Sequence, residues 1–179
     1  MIKPLFAACL IAFASNTFAG PAELEIIGIV PGKSTQADVE KAKGEIGYVI
    51  GGFELVCIPE YMDGVLSQFL CLTGGKYYSR DKTSDSYRNA SNIEVHKVLL
   101  EGFTKKFGKP TAIDNDSVSN ALGQEFNRNV VVWIDEKGNK LMISSLATKV
   151  DEGMLVLESA AKVKADKADK KKADQMRNF

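Results

Sequence analysis

The sequence predicts an α+β domain, in which an antiparallel sheet carries two capped helices on one face and a Lys/Ala/Asp-rich tail follows. Three observations carry that expectation. Two helical stretches each begin at a Ser or Thr cap and end at glycine. The stretches after each are rich in β-branched and aromatic residues and are broken by turn signals. Composition, 45% hydrophobic over 179 residues with nine Phe and one Trp, suffices for one domain with a real core.

The elements follow in order. After Pro21, ELEIIGIV reads as a short strand-like run. STQADVEKAKG reads as a helix with Ser34 or Thr35 as cap, Asp38 in the first turn and Gly44 as stop. IGYVIGGFELVCIP and VLSQFLCLTGG read as strands separated by Glu60-Tyr61-Met62-Asp63-Gly64, where Asp-Gly is a hairpin signal. A three-residue loop centred on Gly64 would set Cys57 opposite Cys71, with Pro59 interrupting the ladder and forcing a bulge. Residues 74–90 are polar and read as a loop. The second helix is capped by Ser91, with Glu94 completing a capping box; Val95, Val98, Leu99, Phe103 and Phe107 recur at helical spacing toward the core. Gly108 and Pro110 end it. EFNRNVVVWI, the turn 135–139, KLMISSLAT, Asp151-Glu152-Gly153 and MLVLES complete a meander. Thr148 and Lys149, near the end of one of those strands, mark nothing interpretable.

The front of the chain bears on location. Residues 1–19, MIKPLFAACLIAFASNTFA, have one Lys, a short apolar run and small residues before Ala19, the layout of a signal peptide cleaved between Ala19 and Gly20. The run is about ten residues, short of the roughly 20 that span a bilayer. The mature chain is thus expected in the periplasm or secreted, without a membrane span. Cys9 falls inside the apolar run and is expected to leave with the leader rather than to be lipidated. Cys57 and Cys71 remain, and an even count in an oxidising compartment favours a disulfide over two buried free thiols.

Boundaries of 20–158 for the domain and 159–179 for the tail follow from charge. The chain has 23 basic and 23 acidic residues. The tail holds seven basic residues against three acidic, which leaves an acidic body. That distribution does not describe a nucleic-acid binder, which shows basic residues on its folded surface. The tail is expected as a helix or as a disordered segment, able to touch anionic envelope polymers.

Motifs for catalysis are weak. GIVPGKS at 28–34 looks like a phosphate loop, but three residues rather than four separate Gly28 from Gly32, and Pro31 offers no N–H. Asp135-Glu136 is better explained by a turn than by a metal. His96 is the single histidine, so the usual zinc sites are unavailable, and its place beside Val95 and Lys97 reads as a partly exposed helix position. DNDSVSN at 114–120 offers oxygen ligands but lacks the Gly and Glu of a calcium loop, and reads as a solvated loop. No catalytic residue, cofactor or metal is therefore expected. Tyr77, Tyr78, Arg80, Tyr87 and Arg88 form the candidate partner-binding loop, because Tyr and Arg are enriched at binding hot spots.

GIVPGKSTQADVEKAKG also resembles the opening of the SmpA/BamE-like outer-membrane assembly lipoproteins and of the related β-lactamase-inhibitor-protein-like fold. The resemblance rests on Ile29, Pro31, Gly32, Ser34 or Thr35, Asp38 and Val39. It implies a small exported α+β domain that works by binding another envelope protein, with no enzymatic activity. This chain has no Cys at the expected mature start, unlike the lipoprotein members. Two functions follow as expectations: an envelope accessory factor, or an exported inhibitor of an envelope or foreign hydrolase.

Overall fold

The computed structural model describes residues 21–44, 47–74, 77–80, 87–120, 122–147 and 151–177, with 77–80 and 87–89 given by their backbone. The expected leader with Cys9 and its cleavage site at Ala19/Gly20 lies outside the described residues, as do Thr148 and Lys149. The element order is α1 (Gln36–Lys41), β1 (Tyr48–Ile50), β2 (Phe53–Met62), β3 (Val65–Gly74), β4 (Tyr77–Arg80), β5 (Tyr87–Ala90), α2 (Asn92–Phe107), β6 (Ala112–Ser119), β7 (Glu125–Ile134), β8 (Lys140–Ser144), β9 (Glu152–Glu158) and α3 (Ala160–Arg177). The fold is α+β, as the sequence predicts.

The strands pair antiparallel throughout, in the order β5-β4-β2-β3-β9-β8-β7-β6, with β1 also pairing β2. β2 is the joint of this sheet. Its first residues pair with β1 and β4, and from Val56 onward it pairs with β3. β9 arrives last in sequence yet lies centrally, between β3 and β8.

The core lies on one face of the sheet. Phe53, Leu55, Phe69, Cys71, Leu141, Ile143, Leu155, Leu157, Val131 and Trp133 alternate onto it and are fully or almost fully buried. Val39 of α1 and Val95, Leu99, Phe103 and Phe107 of α2 join the same cluster. The α2 residues recur at helical spacing, so one apolar stripe docks across β3, β8 and β9. Val98, by contrast, is 38% exposed, because it lies at the edge of that stripe rather than within it.

Both helix starts follow their local chemistry. Thr35 Oγ1 accepts from Asp38 N while the Asp38 carboxylate accepts from Thr35 N at 2.8 Å, a reciprocal cap. Ser91 Oγ accepts from Glu94 N at 3.2 Å. Gly108 ends α2 with φ 80, a conformation that suits glycine at a helix terminus.

Several sequence expectations need correction. The run ELEIIGIV is not one extended strand: Ile26 and Ile29 pair with each other across a tight Ile27-Gly28 turn. The β2–β3 connection is a two-residue turn, Asp63-Gly64, with φ of 52 and 80, and not a three-residue loop. Cys57 still faces Cys71, because β3 carries one extra residue, Ser67, between the pairs Glu60↔Gln68 and Tyr61↔Leu66. That bulge restores the offset the shorter turn removes, and Ser67 Oγ donates to Glu60 O at 3.0 Å across it.

The polar stretch 74–90 contains β4 and β5, which pair as a hairpin. Tyr at three of its positions favours strand, and cross-strand pairing outweighs polar composition. Likewise 114–120 is not a solvated loop. Residues 112–119 form the edge strand β6, whose Asn115 and Asp116 meet Asn129 and Arg128 of β7. A solvated outer face suits polar side chains at a sheet edge. The tail is helical from Ala160 to Arg177, a third helix.

Candidate functional site

The Gly-Lys-Ser turn is consumed by the fold. Gly32 N donates to Leu66 O at 2.7 Å, Ser34 N to Val30 O at 2.9 Å, and Val30 N to Ser34 Oγ at 2.9 Å. Lys33 Nζ lies 2.5 Å from a Glu23 carboxylate oxygen that Lys137 shares. A phosphate cradle needs its N–H groups unspent; here three of them, on Val30, Gly32 and Ser34, already bond protein acceptors.

His96 is buried, at 8% exposure, and not partly exposed as its polar neighbour Lys97 suggests. It sits one position after Val95 on the docking side of α2 and meets β7. Its Nε2 is 2.8 Å from Asn129 Oδ1. Asn129 Nδ2 donates to Asn115 Oδ1 at 2.7 Å, so Asn129 Oδ1 must accept and His96 must carry its proton on Nε2. Nδ1 is buried without a hydrogen-bond partner. The knot continues through Asn129 N to Ser145 Oγ at 2.9 Å and Asn92 Nδ2 to Ser145 O at 2.7 Å. The arrangement ties α2 to β7, and among the described residues no nucleophile or carboxylate bonds either ring nitrogen.

Burial holds the His96 imidazole below its ordinary pKa of 6.5, against a weaker opposing effect of the Asn129 hydrogen bond. The sign follows from linkage. The unfolded chain takes up the proton first as pH falls below about 6.5, so the neutral ring's contribution is complete above that value and is lost below it. Urea unfolding of the wild type between pH 5 and 7.5 is expected to show stability falling on the acid side. His96→Gln, which keeps a donor toward Asn129, should flatten that slope. An identical slope in both proteins would refute the assignment.

Cys57 and Cys71 are bridged, as the sequence predicts. The bridge joins paired positions of β2 and β3 with Cys71 fully buried. Closing a loop of about 15 residues contributes on the order of 3 kcal/mol in the chain-entropy picture. Reduction therefore acts on the sheet's main hairpin.

The five Tyr and Arg positions lie on β4 and β5, but not as one patch. By register, Tyr78, Arg80 and Tyr87 share one face of the hairpin and Tyr77 and Arg88 the other. The segment 81–86 between them lies outside the described residues.

The feature that sequence reasoning missed is the second face of the sheet. Ile58 pairs Leu70, Leu70 pairs Val156, Val156 pairs Met142, Met142 pairs Val132 and Val132 pairs Ala112. One apolar row thus crosses six strands on the side away from the core. A parallel row runs Val56, Leu72, Met154, Ser144 and Val130. At the β2 end Val56 is 58% exposed and Ile58 56%. A sheet with one solvated face ordinarily alternates apolar and polar residues; β3 and β9 are apolar in both phases over much of their length. Signals existed in VLSQFLCLTGG and MLVLES, whose apolar residues occupy both phases, but the row depends on the strand order.

Among the described residues no group of three or more His, Cys, Asp or Glu is placed to hold a metal ion. No described helix is long and apolar enough to cross a membrane. No protein-family model, curated protein or solved structure matches the chain.

Proposed function

We propose that the chain is a non-catalytic protein-binding domain of the cell envelope, exported by its leader and acting as an accessory factor. The carrying observation is the apolar second face, a six-strand row that opens at Val56 and Ile58. Exposed apolar surface rimmed by polar groups marks interaction sites, because leaving it in water is unfavourable by about 25 cal/mol per Å²; here the exposure gathers at the β2 end, at Val56 and Ile58, while Val156 in mid-row is 5% exposed. The rim is polar here: Glu60, Gln68, Glu158 and Lys140 occupy the neighbouring row. β2 adds an edge, since from Val56 to Met62 its described ladder runs to β3 alone. The short resemblance of residues 28–44 to SmpA/BamE-like proteins supports the same reading.

The test is affinity capture from native envelope extract with the wild type beside a Val56→Lys/Ile58→Lys double variant. Wild type should retain one stoichiometric exported protein and the variant should lose it, with stability lowered by about 1 kcal/mol or less per site. Equal retention by both would remove the second face from the proposal. A one-to-one complex with a hydrolase, surviving gel filtration, would identify an inhibitor in place of an accessory factor.

A further inference from the structure

A separate feature lies where α3 leaves the sheet. Its first turns sit over the second face beyond the apolar rows, with Lys162 Nζ 3.7 Å from Glu60. Between α3 and the β7–β8 turn runs a groove of about 490 Å³. Its floor is apolar, from Ile134, Ala160 and Val163. Five lysines line it, largely with their aliphatic stems: Lys164, Lys167 and Lys170 from the helix and Lys137 and Lys140 from the sheet side, against two carboxylates, Glu158 and Asp166.

These cations are not alike. Lys140 lies 2.5 Å from Glu158, which Gln68 also contacts at 2.8 Å. Lys137 is held by Glu23 at 2.5 Å. On α3 itself, Asp166 bonds Lys162 at 3.2 Å and Asp169 lies 3.9 Å from Lys172. Asp166 and Asp169 are therefore engaged by lysines that do not line the groove. Lys164, Lys167 and Lys170 have no ion-pair or hydrogen-bond partner among the described residues.

Three unpartnered ammonium groups at i, i+3 and i+6 follow one side of a helix, spanning roughly 9 Å at 1.5 Å per residue. Exposed lysines usually need no partner. Here, though, the three lysines stand along one groove, on a chain whose net charge is zero. A recess walled by like charge focuses the field and concentrates anions.

We propose that this groove binds a linear polyanion of closely spaced phosphate groups, with Lys164, Lys167 and Lys170 as its three contacts. Lysine suits this ligand as a compact point charge with three donors, and phosphate oxygens accept from any direction. A soluble chain fits better than a membrane surface: the groove is recessed, and α3 has no buried residue and no apolar stripe to enter lipid. This inference is independent of the protein-binding reading, since its three contacts lie on α3 and not on the apolar rows.

The test uses inorganic tripolyphosphate as probe, titrated calorimetrically into the full purified chain at low ionic strength. Saturable one-to-one binding is expected, weakening steeply as salt shortens the screening length from about 30 Å at 0.01 M to about 8 Å at 0.15 M. Lys164→Ala/Lys167→Ala/Lys170→Ala should bind at least tenfold more weakly. Alanine is the best helix former, so α3 should persist in the variant, which far-UV circular dichroism checks. Lys41→Ala/Lys97→Ala/Lys105→Ala removes the same charge from α1 and α2 and should change affinity less than threefold. Equal weakening in both variants would overturn the site in favour of a diffuse charge effect. So would absence of saturable binding, or binding to phosphatidylglycerol vesicles without binding to tripolyphosphate.

Discussion

Gly153→Ala is expected to destabilise the fold by about 3 kcal/mol or more, at the upper end of what overpacking costs. Gly153 is the second residue of β9, opposite Thr73 of β3. A Cβ there would stand 2.5 Å from Thr73 Oγ1, 2.7 Å from Ser144 O and 3.1 Å from Ser145 O. The threonine hydroxyl could rotate only within a site where Thr73 is 1% exposed. The two carbonyls belong to the backbone at the end of β8 and cannot rotate away. β9 would have to move as a unit, and it carries Leu155 and Leu157, both fully buried. Urea unfolding followed by circular dichroism measures this directly. Gly102→Ala is the control: that glycine is exposed in α2 with nothing within 4 Å of a built Cβ, so alanine should raise stability by about 0.5–1 kcal/mol. A loss below about 1 kcal/mol for Gly153→Ala would mean that β9 is less tightly seated than described.

The central place of β9 also links the two surfaces on the second face. Val156 stands in the middle of the apolar row and Glu158, two residues on, anchors Lys140 at the mouth of the α3 groove. One strand therefore supplies the core through Leu155 and Leu157, the apolar row of the second face through Met154 and Val156, and a charged position on that face through Glu158. Strand alternation separates the core residues from the other three, and position along the strand separates Met154 and Val156 from Glu158. A change that shifts β9 should disturb both surfaces, while Val56→Lys/Ile58→Lys and the lysine variants should each disturb one.

What the sequence reveals follows the range of the interactions. α1 and α2 are legible because caps act within three residues and the apolar stripe repeats within two turns. The pairing of Cys57 with Cys71 is legible too, although the two-residue turn and the Ser67 bulge reach it by a route the spacing cannot distinguish from a three-residue loop. β6 is hidden because its justification is distant. Asp116 and Asn115 read as loop residues until Arg128 and Asn129, 12 and 14 positions later, supply their partners. His96 is hidden for the same reason: its acceptor lies 33 residues away. Apolar residues in both phases of β3 and β9 announce a sheet buried or bound on both sides. The row itself needs the strand order, which joins Leu70 to Val156. The lysines of α3 are visible as a charge run, but the groove exists only because the β7–β8 turn stands beside them.

The second large effect is expected at Trp133, which pins α2 to the sheet. It is fully buried on β7, opposite Leu141. Phe103 of α2 meets its ring edge-to-face at 6.0 Å, and Nε1 donates to Gly108 O, at the end of α2, at 3.0 Å. Trp133→Ala should cost about 3–5 kcal/mol, from lost burial and the cavity left between helix and sheet. Trp133→Phe keeps much of the volume and loses the indole donor, so about 1–2 kcal/mol is expected from the unpaired Gly108 carbonyl and the reduced packing. Because Trp133 is the single tryptophan, circular dichroism rather than fluorescence must follow the variants. Comparable losses for Phe and Ala would show that the hydrogen bond outweighs the packing. A loss under about 1.5 kcal/mol for Ala would remove Trp133 from its central role. Native-state hydrogen exchange separates local from global effects. The pin acts at the C-terminal end of α2, whereas the Cys57–Cys71 bridge holds β2 and β3 covalently. In Trp133→Ala the amides of α2 should therefore lose protection before those of the bridged hairpin, leaving the second face the last part of the sheet to open at its β2 end.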